Sequence, residues 1–299
     1  MKIAVTFLSF LFFSCSFAQT EGFSKNKDAS QTYFKTFGTG NPVLIINGGP
    51  GMNSNGFEAM AKTLSKNHQT IIYDQRGTGK STLPILNAST VSMKLMADDI
   101  ESLRRHLKIE KWTVLGHSFG GMLASYYATL YPESIEKLIL SSSGGVDLKL
   151  LSNGSLIEAH LSPIEKDSLR YWNNKIDNGD TSHASRLGRG RAMAPAYVYD
   201  RKFIPLIAER LTQGNSTLNT LLWTDMQNRN FDCKAKLKSF QKPVLIIQGK
   251  QDIISEEIGN IALKTFPNAK LILLDKSKHY GWLDAEDKFF GEIEAFLKS

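Results

Sequence analysis

The chain has 299 residues, 41% of them hydrophobic, which is enough for one large domain or a core with an insertion, and no repeat period or low-complexity tract points to a solenoid or a disordered protein. Its formal charge of +7 is modest for this length, and no nucleic-acid-binding motif accompanies it, so nucleic acid is not expected as a partner. Two cysteines, Cys15 and Cys233, exclude a disulfide-rich scaffold.

The N-terminus reads as a leader. Lys2 supplies a minimal positive region, "IAVTFLSFLFF" an apolar stretch of signal-peptide length, and Ser16 and Ala18 the small residues before a cleavage site after Ala18. The alternative, a lipidated Cys15, is disfavoured by the bulky Phe12 and Phe13 that precede it. Export to the periplasm or beyond is therefore expected. Cleavage would leave Cys233 alone, so the mature chain would have no internal disulfide. No later stretch has transmembrane length, so no stable membrane insertion is expected.

Beyond the leader, "QTYFKTF" alternates like an exposed strand, and "GTGN" turns it into "PVLIIN". "QTIIYD", "WTVLG", "KLILSSS", "PVLIIQG" and "AKLILLD" are further short buried runs. Between them lie predicted helices. One spans 93–107, with Met96, Ile100, Leu103 and Leu107 on one stripe; another runs from Phe119 to Tyr131 and stops before Pro132. A third follows Ser255, a candidate N-cap with Glu256 and Glu257 suited to the helix dipole, and a fourth covers 285–297. The alternation fails between Asp147 and about Asp232, where "SLIEAHL", "EKDSLRYWNNKI", "DRKFIPLIAERL" and "NTLLWTDMQ" replace strands. The expected organisation is a leader at 1–18, an α/β core at 19–146 and 232–299 built on a mostly parallel sheet covered on both faces, and a helical insertion at 147–231. "RLGRGR", with Arg186, Arg189 and Arg191, is the densest basic cluster and is expected to be a solvated loop face.

"GHSFGG" carries the chemistry. Gly-x-Ser-x-Gly between a strand and a helix is the nucleophile elbow: Ser118 sits on a sharp turn in a strained conformation, and Gly116 and Gly120 avoid collisions with the adjoining strand and helix. Gly121 allows close helix packing. A serine hydroxyl is a weak nucleophile at neutral pH and needs a base, which needs an orienting acid. His279 alone among the six histidines follows the last predicted strand and is the candidate base. His117 adjoins the serine but is expected to point elsewhere. Asp252, after "PVLIIQG", is the candidate acid, with Asp147 the alternative; Asp275 and Asp284 are read as structural. An oxyanion hole needs two N–H donors: Phe119, after the nucleophile, and Gly49 in "NGGPG", with Gly48 the alternative. "DQRGTGKS" imitates the end of a phosphate loop, but Asp74 stands where that loop requires glycine, so nucleotide binding is rejected. Arg76 is instead expected to brace the loops through backbone carbonyls.

"NGGPG", "DQRGTGKS", "GHSFGG", "GKQD" and "KHYGW", in this order, resemble the α/β-hydrolase superfamily, and more narrowly its prolyl aminopeptidase (proline iminopeptidase) branch, whose members carry HGGPG and DQRGxGxS. The resemblance spans the core on both sides of the insertion. It implies a Ser118–Asp252–His279 triad, a helical cap, no cofactor, and removal of an N-terminal residue, often proline, from peptides. Asn47 replaces the family's leading histidine; its side chain can still hydrogen-bond and hold the loop. The Trp-Glu pattern with which the family's cap binds the substrate ammonium has no clear copy here. Glu158, Glu165, Glu209 and Asp225 are the candidate substitutes. No metal is expected. The substrate is therefore a small peptide or, on the same scaffold, an ester. A small-ligand binding protein that keeps the fold is the alternative of a different class. Epoxide or haloalkane chemistry would want an aspartate at position 118.

Overall fold

Strand after strand, odd and even positions diverge into two cores. Val43 and Ile45 face one apolar cluster, Leu44 and Ile46 the other; Leu245 and Ile247 oppose Val244 and Ile246 in the same way. A strand apolar at every position is what a sheet covered on both faces requires, and each such side chain contributes on the order of 1.5–3 kcal/mol on burial. The computed structural model of the chain describes residues 19–151 and 156–299. The expected leader with its expected cleavage site, and Cys15, lie outside the described residues.

The sheet has eight strands: β1 (Thr20–Lys25), β2 (Gln31–Phe37), β3 (Pro42–Ile46), β4 (Gln69–Tyr73), β5 (Trp112–His117), β6 (Ile135–Ser141), β7 (Val244–Gly249) and β8 (Ala269–Leu274), in the order β1-β2-β4-β3-β5-β6-β7-β8. β1–β2 and β2–β4 are antiparallel, and every pair from β4 to β8 is parallel. All the strands expected from sequence are present. β1 was not expected; its "TEGFSK" is mostly exposed on the sheet edge and carries no apolar run.

The helices are α1 (Glu58–Leu64), α2 (Met93–His106), α3 (Phe119–Leu130), α4 (Pro163–Asp177), α5 (His183–Tyr197), α6 (Ile204–Leu211), α7 (Ser216–Asn228), α8 (Lys234–Leu237), α9 (Glu256–Thr265), α10 (Gly281–Asp284) and α11 (Glu286–Lys298). Met96, Ile100 and Leu103 of α2 and Leu123, Ala124 and Tyr127 of α3 fill one face of the sheet, while Met60, Leu64, Phe289 and Ile293 fill the other. Ser92 caps α2 by accepting from the N–H of Leu95 at 3.3 Å. Ser255 occupies the N-cap of α9 without a side-chain capping bond, although Glu256 and Glu257 lie in the first turn as expected.

Helices α4 to α7 stand between β6 and β7. An isolated bridge between Asp147 and Asp232 ties the two ends of this segment, reinforced by Lys234, which pairs with both carboxylates. "RLGRGR" is a correction: it lies within α5, not in a loop. Its glycines are packing positions. A Cβ at Gly188 would meet the Trp172 ring at 2.3 Å, and one at Gly190 the Ala208 carbonyl at 2.4 Å. Arg186 and Arg191 do face solvent, and Arg189 donates to the Asn173 side chain at 2.7 Å.

Candidate active site

The turn between β5 and α3 concentrates backbone strain at one residue. Ser118 has φ 56° and ψ −121°, a region that L-residues other than glycine rarely occupy. Surrounding bonds impose it. The Ser118 N–H donates to the Ser141 carbonyl at 3.0 Å, and the Ser118 carbonyl accepts from Gly121 at 2.9 Å and Gly144 at 3.1 Å. The flanking glycines permit the close approach. A Cβ at Gly116 would meet the Gly120 carbonyl oxygen at 2.3 Å, and one at Gly120 the Ile46 carbonyl oxygen at 2.2 Å. At Gly121 it would meet the Ser143 hydroxyl at 2.4 Å. Ser118 itself remains partly exposed.

The loop after β8 brings His279 to the same rim. Its Nδ1 is 2.8 Å from Oδ1 of Asp252, in the loop after β7, and the two residues are 3% and 5% exposed, so the pair is shielded from solvent. Asp252 is further fixed by accepting from the N–H of Ile254 at 3.1 Å. The His279 N–H donates to the Tyr197 carbonyl at 3.0 Å, Lys278 Nζ donates to the Pro195 carbonyl at 2.6 Å, and the Lys278 N–H donates to Asp284 at 2.9 Å. The hydroxyl of Ser118 and the ring of His279 are not hydrogen-bonded to each other in this arrangement. Such bonds are often long or misaligned until substrate is bound.

His117 is buried in an aromatic nest. Its ring lies 4.6 Å from that of His279, 4.7 Å from Trp282 and 5.5 Å from Phe57. Burial, then the neighbouring His279 and Arg210, holds its pKa well below the usual histidine range, so it is neutral at physiological pH and packs under His279.

The "NGGPG" loop closes the third side. A Cβ at Gly48 would come within 2.7 Å of the Ser118 Cβ. Gly49 (φ 76°) needs glycine for its conformation as well as for its contact with Met52. Asn47 holds the loop as its chemistry allows: Nδ2 donates to the carbonyls of Gly48 at 3.1 Å and Met52 at 3.0 Å, and its own carbonyl accepts from Gln75 at 2.7 Å. Phe119 is the first residue of α3, where N–H groups have no intrahelical acceptor.

The remaining candidates have partners of their own. Asp147 pairs with Lys234, and Asp275 with Lys250 at 2.7 Å. Asp284 accepts from the N–H groups of Tyr199 and Asp200 as well as Lys278. Of the carboxylates considered for an ammonium, Glu209 pairs with His183 at 2.9 Å, both more than half exposed. Asp225 accepts from Arg229 at 2.6 Å and from the Met93 N–H at 2.9 Å, at the start of α2. Glu165 forms a capping box with Ser162 at the start of α4 and pairs with Arg201 at 2.9 Å. Glu158 is exposed on a short 3₁₀ turn, Glu158–His160. Glu209, Asp225 and Glu165, the candidates for binding a substrate ammonium, thus each also hold local structure. Burial and then the Lys278 cation lower the pKa of His160, against the pull of Asp252.

"DQRGTGKS" folds around its own carboxylate. Asp74 accepts from the Ser54 N–H at 2.9 Å, the Ser54 hydroxyl at 2.8 Å and the Lys80 N–H at 2.8 Å, so the place a phosphate would take is filled. Arg76 reaches one backbone carbonyl, that of Thr90 at 3.2 Å, but its main partners are the carboxylates of Asp99 and Asp28. Sequence reasoning missed Arg210, buried under the "NGGPG" loop. It sits in an ordinary amphipathic helix and carries no motif.

Among known proteins, the sequence matches the alpha/beta hydrolase fold family over residues 41–286. It is 26% identical over 291 residues to a proline iminopeptidase of Heyndrickxia coagulans, covering 94% of this chain and 99% of that protein. Among solved structures, an esterase from Exiguobacterium antarcticum superposes with a TM-score of 0.72 at 22% identity, covering 94% of this chain and all of that one. A proline iminopeptidase from Mycobacterium smegmatis superposes with a TM-score of 0.68 at 22% identity, covering 93% and 98%. At this identity the structural likeness speaks for the fold. With the family match spanning most of the chain, the protein belongs to the alpha/beta hydrolase fold family.

Proposed function

We propose that the protein is a serine hydrolase acting through Ser118, His279 and Asp252. The observation that carries this reading is the buried 2.8 Å contact between His279 and Asp252 beside a strained serine elbow. In the proposed reaction His279 Nε2 takes the Ser118 proton as the oxygen bonds to the substrate carbonyl carbon. Asp252 fixes the tautomer and stabilises the imidazolium. The N–H groups of Phe119 and Gly49 hold the oxyanion. The C–N or C–O bond then breaks as His279 passes its proton to the leaving group. Water, deprotonated by the same ring, releases the acyl group and restores the serine.

Within that class we favour cleavage of an N-terminal residue from small peptides, because curated relatives that span nearly the whole chain include proline iminopeptidases. A second reading, ester hydrolysis, is favoured by the commitment of Glu165, Glu209 and Asp225 to other partners. A fluorophosphonate probe is expected to label the wild-type protein and to leave Ser118→Ala unlabelled. Labelling that survives the substitution would refute the assignment. Proline p-nitroanilide against p-nitrophenyl butyrate then separates the two substrate classes. We also propose that the protein is exported with its leader removed after Ala18, which the N-terminal mass of the secreted chain would test.

A further inference from the structure

Arg210, on α6, is 5% exposed and has no carboxylate partner among the described residues. Buried cations are normally paired, because an uncompensated charge away from water is costly. Its partners are all uncharged. Nη2 donates to the Gly48 carbonyl at 3.2 Å and Nη1 to the Asn53 carbonyl at 3.3 Å, and the guanidinium lies over the Phe57 ring at 5.0 Å. Gly56 makes room for it, since a Cβ there would come within 2.4 Å of Nη1. The guanidinium is thus held on several sides, by the Asn53 carbonyl and the Tyr280 side chain among others, and its Nη2 is directed at one peptide unit beside the serine.

That unit is the 48–49 peptide, whose Gly48 end lies against the Ser118 side chain. In a trans peptide the carbonyl and the following N–H point in opposite directions. Arg210 Nη2 and Asn47 Nδ2 grip the Gly48 oxygen from one side, so the Gly49 N–H faces the other. A cation on the oxygen also draws electron density out of the peptide and makes its N–H a stronger donor.

We infer that Arg210 is a positioning residue of the oxyanion hole, fixing the 48–49 peptide and polarising its N–H toward the developing negative charge. This rests on the serine hydrolase reading above. Negative charge appears on the substrate oxygen only as the tetrahedral species forms, so the contribution belongs to the transition state.

The test uses p-nitrophenyl butyrate turnover by the full-length protein and its Arg210→Met, Arg210→Gln and Arg210→Lys variants, each checked for folding by thermal denaturation. Arg210→Met is expected to lower kcat by about 10–100-fold, below the loss of a direct oxyanion donor, with KM within about threefold. Affinity for phenylboronic acid, which forms a tetrahedral adduct on serine, should fall in parallel. Arg210→Lys should recover part of the loss, and Arg210→Gln, which keeps donors without charge, should fall between the two. Should Arg210→Met not fold, the Lys and Gln variants carry the comparison. Unchanged kcat in folded variants, or a raised KM with kcat intact, would overturn the inference. Wild-type protein that no fluorophosphonate labels at Ser118 would overturn the underlying reading as well; labelling with unchanged variant kcat would overturn this inference alone.

Discussion

Ser118 is held at φ 56° and ψ −121° by the Ser141 carbonyl on its N–H and by the Gly121 and Gly144 N–H groups on its carbonyl. Gly-x-Ser-x-Gly was legible because its glycines answer to backbone collisions that any chain making this turn must avoid, and the distances at Gly116 and Gly120 are those collisions. Asp252 and His279 were legible for a topological reason: each follows a strand, and parallel strands deliver their following loops to one rim. Arg210 was not legible. A buried arginine that serves a backbone carbonyl leaves no spacing rule, and only the fold reveals that its target is the Gly48 peptide. The strain at Ser118 has a measurable sign. Glycine tolerates φ 56° and ψ −121° better than any side chain, so Ser118→Gly should be more stable than Ser118→Ala by about 1 kcal/mol in urea denaturation while both are inactive. Equal stability would mean that the elbow is relaxed.

At the level of elements, short and unusual pieces escaped the sequence. β1 lacks an apolar run, α1 and α10 are brief, and α5 was hidden by Gly188 and Gly190, which read as loop residues until their contacts are seen. The loop from β8 to α10 depends on Asp284, whose carboxylate gathers three backbone N–H groups from two segments. Removing it leaves those donors without their acceptor. Asp284→Ala is expected to cost about 1–3 kcal/mol in chemical denaturation. Because the loop carries His279, kcat should fall several-fold with little change in KM. Full activity with lowered stability would show that the loop keeps its shape without this carboxylate.

For the molecule as a whole, the two-sided core was predictable from apolar runs alone, since strands buried on both faces leave few other architectures. What the runs could not convey is where polar contacts tie elements together. Glu101 of α2 is one such tie: it accepts from Tyr127 of α3 at 2.9 Å and from Ser134 at 3.0 Å, and it pairs with Arg104 and Arg105 on its own helix. Burial raises its pKa, but bonds from Arg104, Arg105, Tyr127 and Ser134 outweigh that and bring it down to about 2 from 4.5. A depressed carboxylate stabilises the fold above its unfolded pKa, and that contribution is lost as pH falls from 4.5 toward 2. The melting temperature should therefore drop across this window, and Glu101→Gln should be less stable at neutral pH with a flatter acid profile. Parallel acid profiles would remove Glu101 from the account.

The carbonyls of Pro195 and Tyr197 reach from the end of α5 to Lys278 and His279. A chimera that replaces the helices between β6 and β7 would have to bring an acceptor to the same spot. Without one, the amide at 279 would lose its anchor, and new specificity would arrive with a loosened imidazole. Engineering of the inserted helices should thus leave the last turn of α5 in place.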